Sequence, residues 1–184
     1  MDVAILSDIH GNIYALKEVI KECKKAGVEK FLVLGDLVGY YYYPKEVLET
    51  LLSLNSIMIQ GNHERLLENL VKGKIKKDTL SKKYGCGHQI AANSLSKEQL
   101  DYLFNLPKQT SLTIDNTIFS LNHGSPNDQD EYLYLNASKE ILDRCDIASS
   151  NGFNGCVFFQ NNVNGIVLFL NIKTLRDRSL SWGQ

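Results

Sequence analysis

Four times along this chain a short apolar run breaks off in a polar turn built from Asp, Asn, His and Gly. Residues 3–6 lead into Ser7-Asp8-Ile9-His10-Gly11-Asn12, residues 31–34 into Gly35-Asp36, residues 56–59 into Gly61-Asn62-His63-Glu64, and residues 117–121 into Asn122-His123-Gly124. Runs of this length read as buried strands. Between the first two, Ile13, Leu16, Val19, Ile20 and Cys23 recur at helical spacing, with Asn12 as N-cap and Gly27 at the far end. Between the second and third, Pro44 suits a first helical turn and Val47, Leu48, Leu51 and Leu52 continue an apolar face. This β-α-β-α-β alternation predicts parallel strands with right-handed crossovers, and in such sheets ligands sit at the carboxyl ends of the strands. The first three polar turns all belong there.

A further helix is expected over residues 65–71. Beyond it the pattern changes. Residues 72–83 carry six lysines and read as an exposed connection. Residues 96–104 read as a helix with Ser96 as N-cap and Gln99 at the capping-box position. Residues 110–114 and 117–121 flank Asp115-Asn116 and predict a hairpin. A short helix is expected over 138–142. From Asp146 the chain turns rich in Asn, Gly and Phe, and only 165–170 reads clearly as a strand. The expectation is one domain over residues 1–184, with 148–184 a divergent tail that packs poorly against the rest.

Composition narrows the function. Of 184 residues, 43% are hydrophobic and 22% charged, which fits a globular chain and not a disordered one. Twenty basic against twenty-one acidic side chains leave a formal charge of −1, which argues against an extended nucleic-acid surface. The four cysteines form no C-x-x-C pair and suggest neither a zinc knuckle nor a disulfide framework. No stretch approaches a membrane span, and residues 1–6 do not read as a signal peptide, so a reducing cytoplasm is the expected location. Nothing in the sequence speaks to oligomeric state.

Carboxylate oxygen, imidazole nitrogen and amide oxygen together make a ligand set for divalent first-row metals. Three of the four histidines sit in the polar turns. Any one of these residues taken alone is an ordinary turn or cap residue. Four such turns in succession are much harder to obtain by chance.

The four motifs, Asp8-Ile9-His10-Gly11-Asn12, Gly35-Asp36-Leu37-Val38-Gly39, Gly61-Asn62-His63-Glu64 and Asn122-His123-Gly124, resemble those of the calcineurin-like metallophosphoesterases, in particular the small bacterial and archaeal phosphodiesterase branch. The resemblance covers about residues 1–145. It implies a four-layer α/β/β/α sandwich of two mixed sheets packed face to face, with a two-metal site. Asp8 and His10 would hold one ion, Asn62 and His123 the other, and Asp36 would bridge both. Mn²⁺ is the ion expected first, with Fe²⁺, Zn²⁺, Ni²⁺ or Mg²⁺ compatible. A hydroxide between the ions would attack phosphorus in line, and His63 would protonate the leaving alkoxide as general acid. Asn62, His63 and Arg65 would contact the substrate, a phosphate-ester small molecule or nucleotide. A phosphodiester or nucleotide-type ester is preferred over a phosphoprotein, so a Ser/Thr protein phosphatase-like phosphomonoesterase is a rival reading.

One motif of that family is missing. Its pattern ends in a Gly-His-x-His turn, whose histidines complete the two metals. Here the corresponding stretch is Asp146-Ile147-Ala148-Ser149-Ser150-Asn151-Gly152-Phe153-Asn154-Gly155, and no histidine follows His123. Three readings stay open: a tail that is frame-shifted or eroded, oxygen ligands supplied by Asn151 or Asn154, or a degenerate, non-catalytic fold that binds a metal, a phosphate or a partner. Other features have plainer readings. Residues 40–43, four tyrosines and a proline's neighbours, offer either a stacking face for a nucleobase or an ordinary exposed aromatic turn. The lysines of 72–83 either steer a phosphorylated substrate or line a solvated loop. Cys86-Gly87-His88 reads as a plain loop.

Overall fold

The structure, a computed structural model, describes residues 2–115, 117–131, 154–157 and 167–171. The first half forms as its periodicity requires. Strand β1 (Asp2–Leu6) leads to α1 (Ile13–Lys25), β2 (Lys30–Val33), α2 (Pro44–Leu52), β3 (Ser56–Met58) and α3 (Asn62–Val71). The Asn12 side chain caps α1 by accepting from the Ala15 N–H at 3.1 Å, and Gly27 follows the helix at φ 74°. β1 pairs in parallel with β2, and β2 with β3.

Three short helices follow: α4 (Lys77–Tyr84), α5 (Gly87–Ser94) and α6 (Lys97–Phe104). α6 carries the expected capping box, with Ser96 Oγ accepting from Gln99 N–H and Gln99 Oε1 from Ser96 N–H. α4 and α5 correct the sequence reading. The lysine-rich connection is half helical, anchored by buried Leu80, and the loop expected at Cys86-Gly87-His88 is the start of α5, with Gly87 and His88 buried. A helix with one apolar anchor among lysines carries almost no periodic signal, so only packing stabilises it.

The hairpin β4 (Gln109–Ile114) and β5 (Thr117–Asn122) pairs antiparallel, as expected. Two strands come from the Asn-rich tail. β6 (Asn154–Val157) adds in parallel to β5, and β7 (Val167–Asn171) adds antiparallel to β1, so the sheets run β3-β2-β1-β7 and β4-β5-β6. Both sheets are mixed, and the tail contributes an edge to each. The helix expected over 138–142, Asn151 and residues 172–184 lie outside the described residues.

The layers follow from alternation along the strands. Ala4, Leu6, Phe31 and Val33 face the helices and pack with Leu16, Ile20, Val47, Leu51 and Leu67. Val3, Ile5, Leu32 and Leu34 face the other way and meet Ile114, Phe119 and Leu121 of the second sheet. β1 and β2 are therefore buried on both faces, as parallel strands usually are. The described residues thus supply a helical layer and two facing sheets. Among them, no helix is long and apolar enough to cross a membrane.

Candidate metal centre

The polar turns leave the carboxyl ends of β1, β2, β3 and β5 and meet in one place. Backbone hydrogen bonds stitch them together. Asp8 N–H donates to Gly35 O at 3.2 Å, His10 N–H to Asp36 O at 2.8 Å and Gly11 N–H to Leu37 O at 2.7 Å. Three residues that carry ligand-type side chains sit in left-handed backbone: Asp8 (φ 57°), His10 (φ 51°) and Asp36 (φ 56°). Such conformations cost about 1–3 kcal/mol each and persist where surrounding structure over-determines them.

The side chains converge accordingly. His10 Nε2 lies 3.5 Å from Asp8 Oδ1 and 3.8 Å from Asp36 Oδ2, and His123 Nε2 lies 3.5 Å from Asp36 Oδ2. Asp36 is fully buried, and Asp8, His10, His63 and His123 nearly so. Ligand-type atoms of His10, Asp36 and His63 lie within 4.8 Å of one another. All five residues expected as ligands from sequence, Asp8, His10, Asp36, Asn62 and His123, are in this cluster, with Asp36 between the two histidines. His63 lies beside it, ring to ring with His10 at 4.5 Å. Arg65, expected on the substrate, ion-pairs with Asp130 in a partly exposed position.

The donor set fits divalent cations on three independent observations. First, His10 Nδ1 lies 3.0 Å from Val38 O and His123 Nδ1 2.7 Å from Leu34 O. A carbonyl only accepts, so each Nδ1 carries a proton, and Nε2 is the ring atom turned toward the centre, the one that would ligate a metal. Second, buried Asp8 Oδ1 has no hydrogen-bond partner. Third, the Asn62 amide nitrogen can face both Asp36 oxygens (3.0 and 3.2 Å) and His123 Nε2 (3.0 Å), so three acceptors point at one small donor. A cation would satisfy them better, with the amide turned to present its oxygen.

Electrostatics agrees. Burial, and then the charge of Glu64, push the Asp36 carboxyl well above the usual carboxylate range. Burial opposes ionisation of Asp8 too, but contacts with His10 and Ser7 hold it below its ordinary value. Burial, joined by neighbouring His10, drives His63 down to about 2, so its imidazole is neutral in the absence of a ligand.

Two residues with clear parts in this arrangement had no assigned role from sequence. Glu64 is fully buried, and its carboxylate accepts the backbone N–H of Asp36 (2.9 Å), Leu37 (2.8 Å), Val38 (3.2 Å) and Gly61 (2.8 Å). It therefore locks the second turn to the third. The available signal was its place three residues after Gly61, the capping-box spacing. His88 stacks on His63 at 4.9 Å and 20°. No local pattern announces that contact.

Two facing mixed sheets thus bring carboxylate, imidazole and amide side chains together at the strand ends, a donor set suited to divalent cations. The chain belongs to the calcineurin-like phosphoesterase family, whose model matches residues 1–167. It is 32% identical over 136 residues to the uncharacterized protein MJ0912 of Methanocaldococcus jannaschii, covering 72% of this chain and 53% of that one. Among solved structures, it resembles the metallophosphoesterase of Sphaerobacter thermophilus at 27% identity and TM-score 0.56, over 73% of this chain and 51% of that one. It shares the fold of hypothetical protein PH1004 of Pyrococcus horikoshii at TM-score 0.63 and 24% identity, over 80% of this chain and 65% of that one. The chain thus spans about half the length of that curated relative.

Proposed function

We propose that this chain hydrolyses a phosphate ester, with a phosphodiester or nucleotide-type substrate preferred, and that Asp8, His10, Asp36, Asn62 and His123 hold two divalent ions, Mn²⁺ first among those compatible. The observation that supports this most is the pair of histidines whose Nδ1–H groups are held by carbonyls while both Nε2 atoms face Asp36. When bound, such ions supply Lewis acidity and lower the pKa of water. The rest is done by the protein. Asp8 and Asp36 set the charge of the centre, and Glu64 fixes the backbone that carries Asp36. His63 lies beside the cluster, and a phosphate anion bound against it opposes the burial that keeps its imidazole neutral, so that in the substrate complex it can carry the proton that it gives to the departing oxygen. Tyr40 lies 5.1 Å from the His63 ring and is 43% exposed, so a leaving group next to His63 meets an aromatic face. That favours a planar leaving group such as a nucleoside over a phosphoserine side chain. Arg65 reaches a phosphate only when its pair with Asp130 opens.

The deciding experiment is hydrolysis of bis(p-nitrophenyl) phosphate and p-nitrophenyl phosphate with Mn²⁺, Fe²⁺, Zn²⁺, Ni²⁺ or Mg²⁺ added in turn. Faster turnover of the diester supports the reading, and faster turnover of the monoester supports the protein phosphatase-like rival. No turnover with any metal rejects both.

One observation favours a second reading, a degenerate fold that binds metal weakly. The chain has four histidines, His10, His63, His88 and His123, and none remains to fill the place of the missing Gly-His-x-His turn. Losing a group that merely orients a ligand already costs about 10–100-fold in affinity or activity, and losing a ligand should cost at least as much. Metal analysis distinguishes the two: two ions retained per chain through gel filtration would exclude the degenerate reading.

A further inference from the structure

His88 is the histidine for which the proposed reaction has no use, yet it is the least exposed of the four. It is 0% exposed, and neither of its ring nitrogens has a hydrogen-bond partner. It is absent from the group of ligand-type atoms formed by His10, Asp36 and His63. Its one near-parallel neighbour is His63, with ring centroids 4.9 Å apart and planes 20° from parallel. The fold takes trouble to bring it there. Gly87, which opens α5, lies so close to Gly39 of the second turn that a Cβ on it would overlap the Gly39 carbonyl.

His63 has an unusual need for such a neighbour. An imidazole that works through one nitrogen is ordinarily aimed by a hydrogen bond at the other. His63 Nδ1 is buried and has no partner. Gly39 packs close beside it, where a Cβ would lie 2.5 Å from that atom. The His63 ring is therefore oriented by ring contacts. His10 meets it at 62°, Tyr84 at 72° and Tyr40 at 41°, so three neighbours border it edgewise or obliquely. Among the described residues, His88 is the ring that stacks near-parallel on it.

We propose that His88 is a positioning residue: its stacked ring fixes the plane of the His63 imidazole and so aims His63 Nε2 at the leaving-group oxygen. This rests on the reading of His63 as general acid given above.

The prediction separates aim from stability through the leaving group. A poor leaving group needs the proton, whereas p-nitrophenolate departs largely without it. The variants are His88→Phe, which keeps a flat ring, and His88→Leu, which fills similar space without one. Both are assayed as the full chain, with the activating metal, on diphenyl phosphate and on bis(p-nitrophenyl) phosphate. His88→Leu should slow diphenyl phosphate about tenfold to a hundredfold while changing the nitrophenyl ester about twofold or less, and His88→Phe should keep the wild-type ratio of the two rates. Equal losses on both esters in His88→Leu, or a His88→Phe variant with the same altered ratio as His88→Leu, would overturn the proposal. A second readout needs neither metal nor turnover. In ¹⁵N imidazole spectra of the metal-free protein, His63 should give one sharp set of signals in the wild type and in His88→Phe, and broadened or doubled signals in His88→Leu. Sharp, unshifted His63 signals in His88→Leu would also overturn it. If the wild type hydrolyses neither ester with any metal, the proposed function fails, and these spectra alone decide the role of His88.

Discussion

Glu64 and Asp36 hold each other's chain segments in place. The Glu64 carboxylate accepts the backbone N–H of Asp36 at 2.9 Å, while Asp36 Oδ1 accepts the backbone N–H of His63, one residue before Glu64, at 2.8 Å. Asp36 is thus oriented from both its main chain and its side chain before any metal arrives. Each of these bonds has a buried carboxyl oxygen as its acceptor.

Glu64→Gln tests that lock. Glu64 Oε1 serves Leu37 and Val38, and Oε2 serves Asp36 and Gly61. A glutamine turns one of these oxygens into an NH₂ that opposes two N–H donors. Orphaned buried donors cost about 1–3 kcal/mol each, so the variant should lose about 2–6 kcal/mol in denaturant unfolding. Metal affinity, measured by calorimetric titration where the variant is still folded, should fall about 10–100-fold. Unchanged affinity would show that Glu64 is structural only.

Gly87→Ala tests the close approach of α5 to the second turn. The added methyl would overlap the Gly39 carbonyl, and both partners are backbone, which cannot rotate away. The expected loss is about 3 kcal/mol, read from the denaturant midpoint. A loss under about 1 kcal/mol would mean that α5 shifts freely, and would weaken the assigned His63–His88 contact as well.

Asp36→Asn should separate stability from metal binding. Asp36 is fully buried, with Glu64 and Asp8 as charged neighbours. Asparagine removes that crowding and its oxygen still accepts the His63 N–H. The metal-free variant should unfold at a higher temperature than the metal-free wild type, while Mn²⁺ no longer raises its melting temperature. A variant that melts lower without metal would show that the carboxylate is stabilising in its own right.

His88 makes the metal-free protein sensitive to acid. Burial, and then the charge of His10, press its pKa down to about 4 from an ordinary value near 6.5. The folded state therefore prefers neutral His88. Its contribution is fully present above pH ~6.5 and is lost between pH ~6.5 and ~4 as the unfolded chain takes up the proton first, with a limiting slope of about 1.4 kcal/mol per pH unit. The other groups around it, His63, Tyr84 and His10, are common to wild type and variant, so their effects largely cancel in the difference. His88→Phe should remove that part of the slope and, because two unpaired ring nitrogens disappear, raise stability at pH 7 by about 1–3 kcal/mol. Parallel stability profiles for the two proteins between pH 4 and 6.5 would refute the assignment.

Local spacing determined much of this protein. β1 to α3 follow from apolar runs and helical periodicity, because burial of one face imposes its period on the sequence wherever an element is long enough to show it. The turn residues Asp8, His10, Asp36, Asn62 and His123 were legible for a related reason: each follows a strand, and β1, β2 and β3, aligned in one sheet, deliver their ends to one edge, where β5 of the facing sheet brings His123. Tertiary structure decided the rest. α4 and α5 carry too few apolar residues to announce themselves, and the Asn-rich tail supplies β6 and β7 through backbone pairing with β5 and β1, which any non-proline residue can make. Arg65 turned to Asp130, 65 residues away, and Glu64 to amides 26 to 28 residues before it. His88 reached His63 because Gly87 lets α5 press against the second turn. Contacts across such separations depend on how elements pack, and no local period records them.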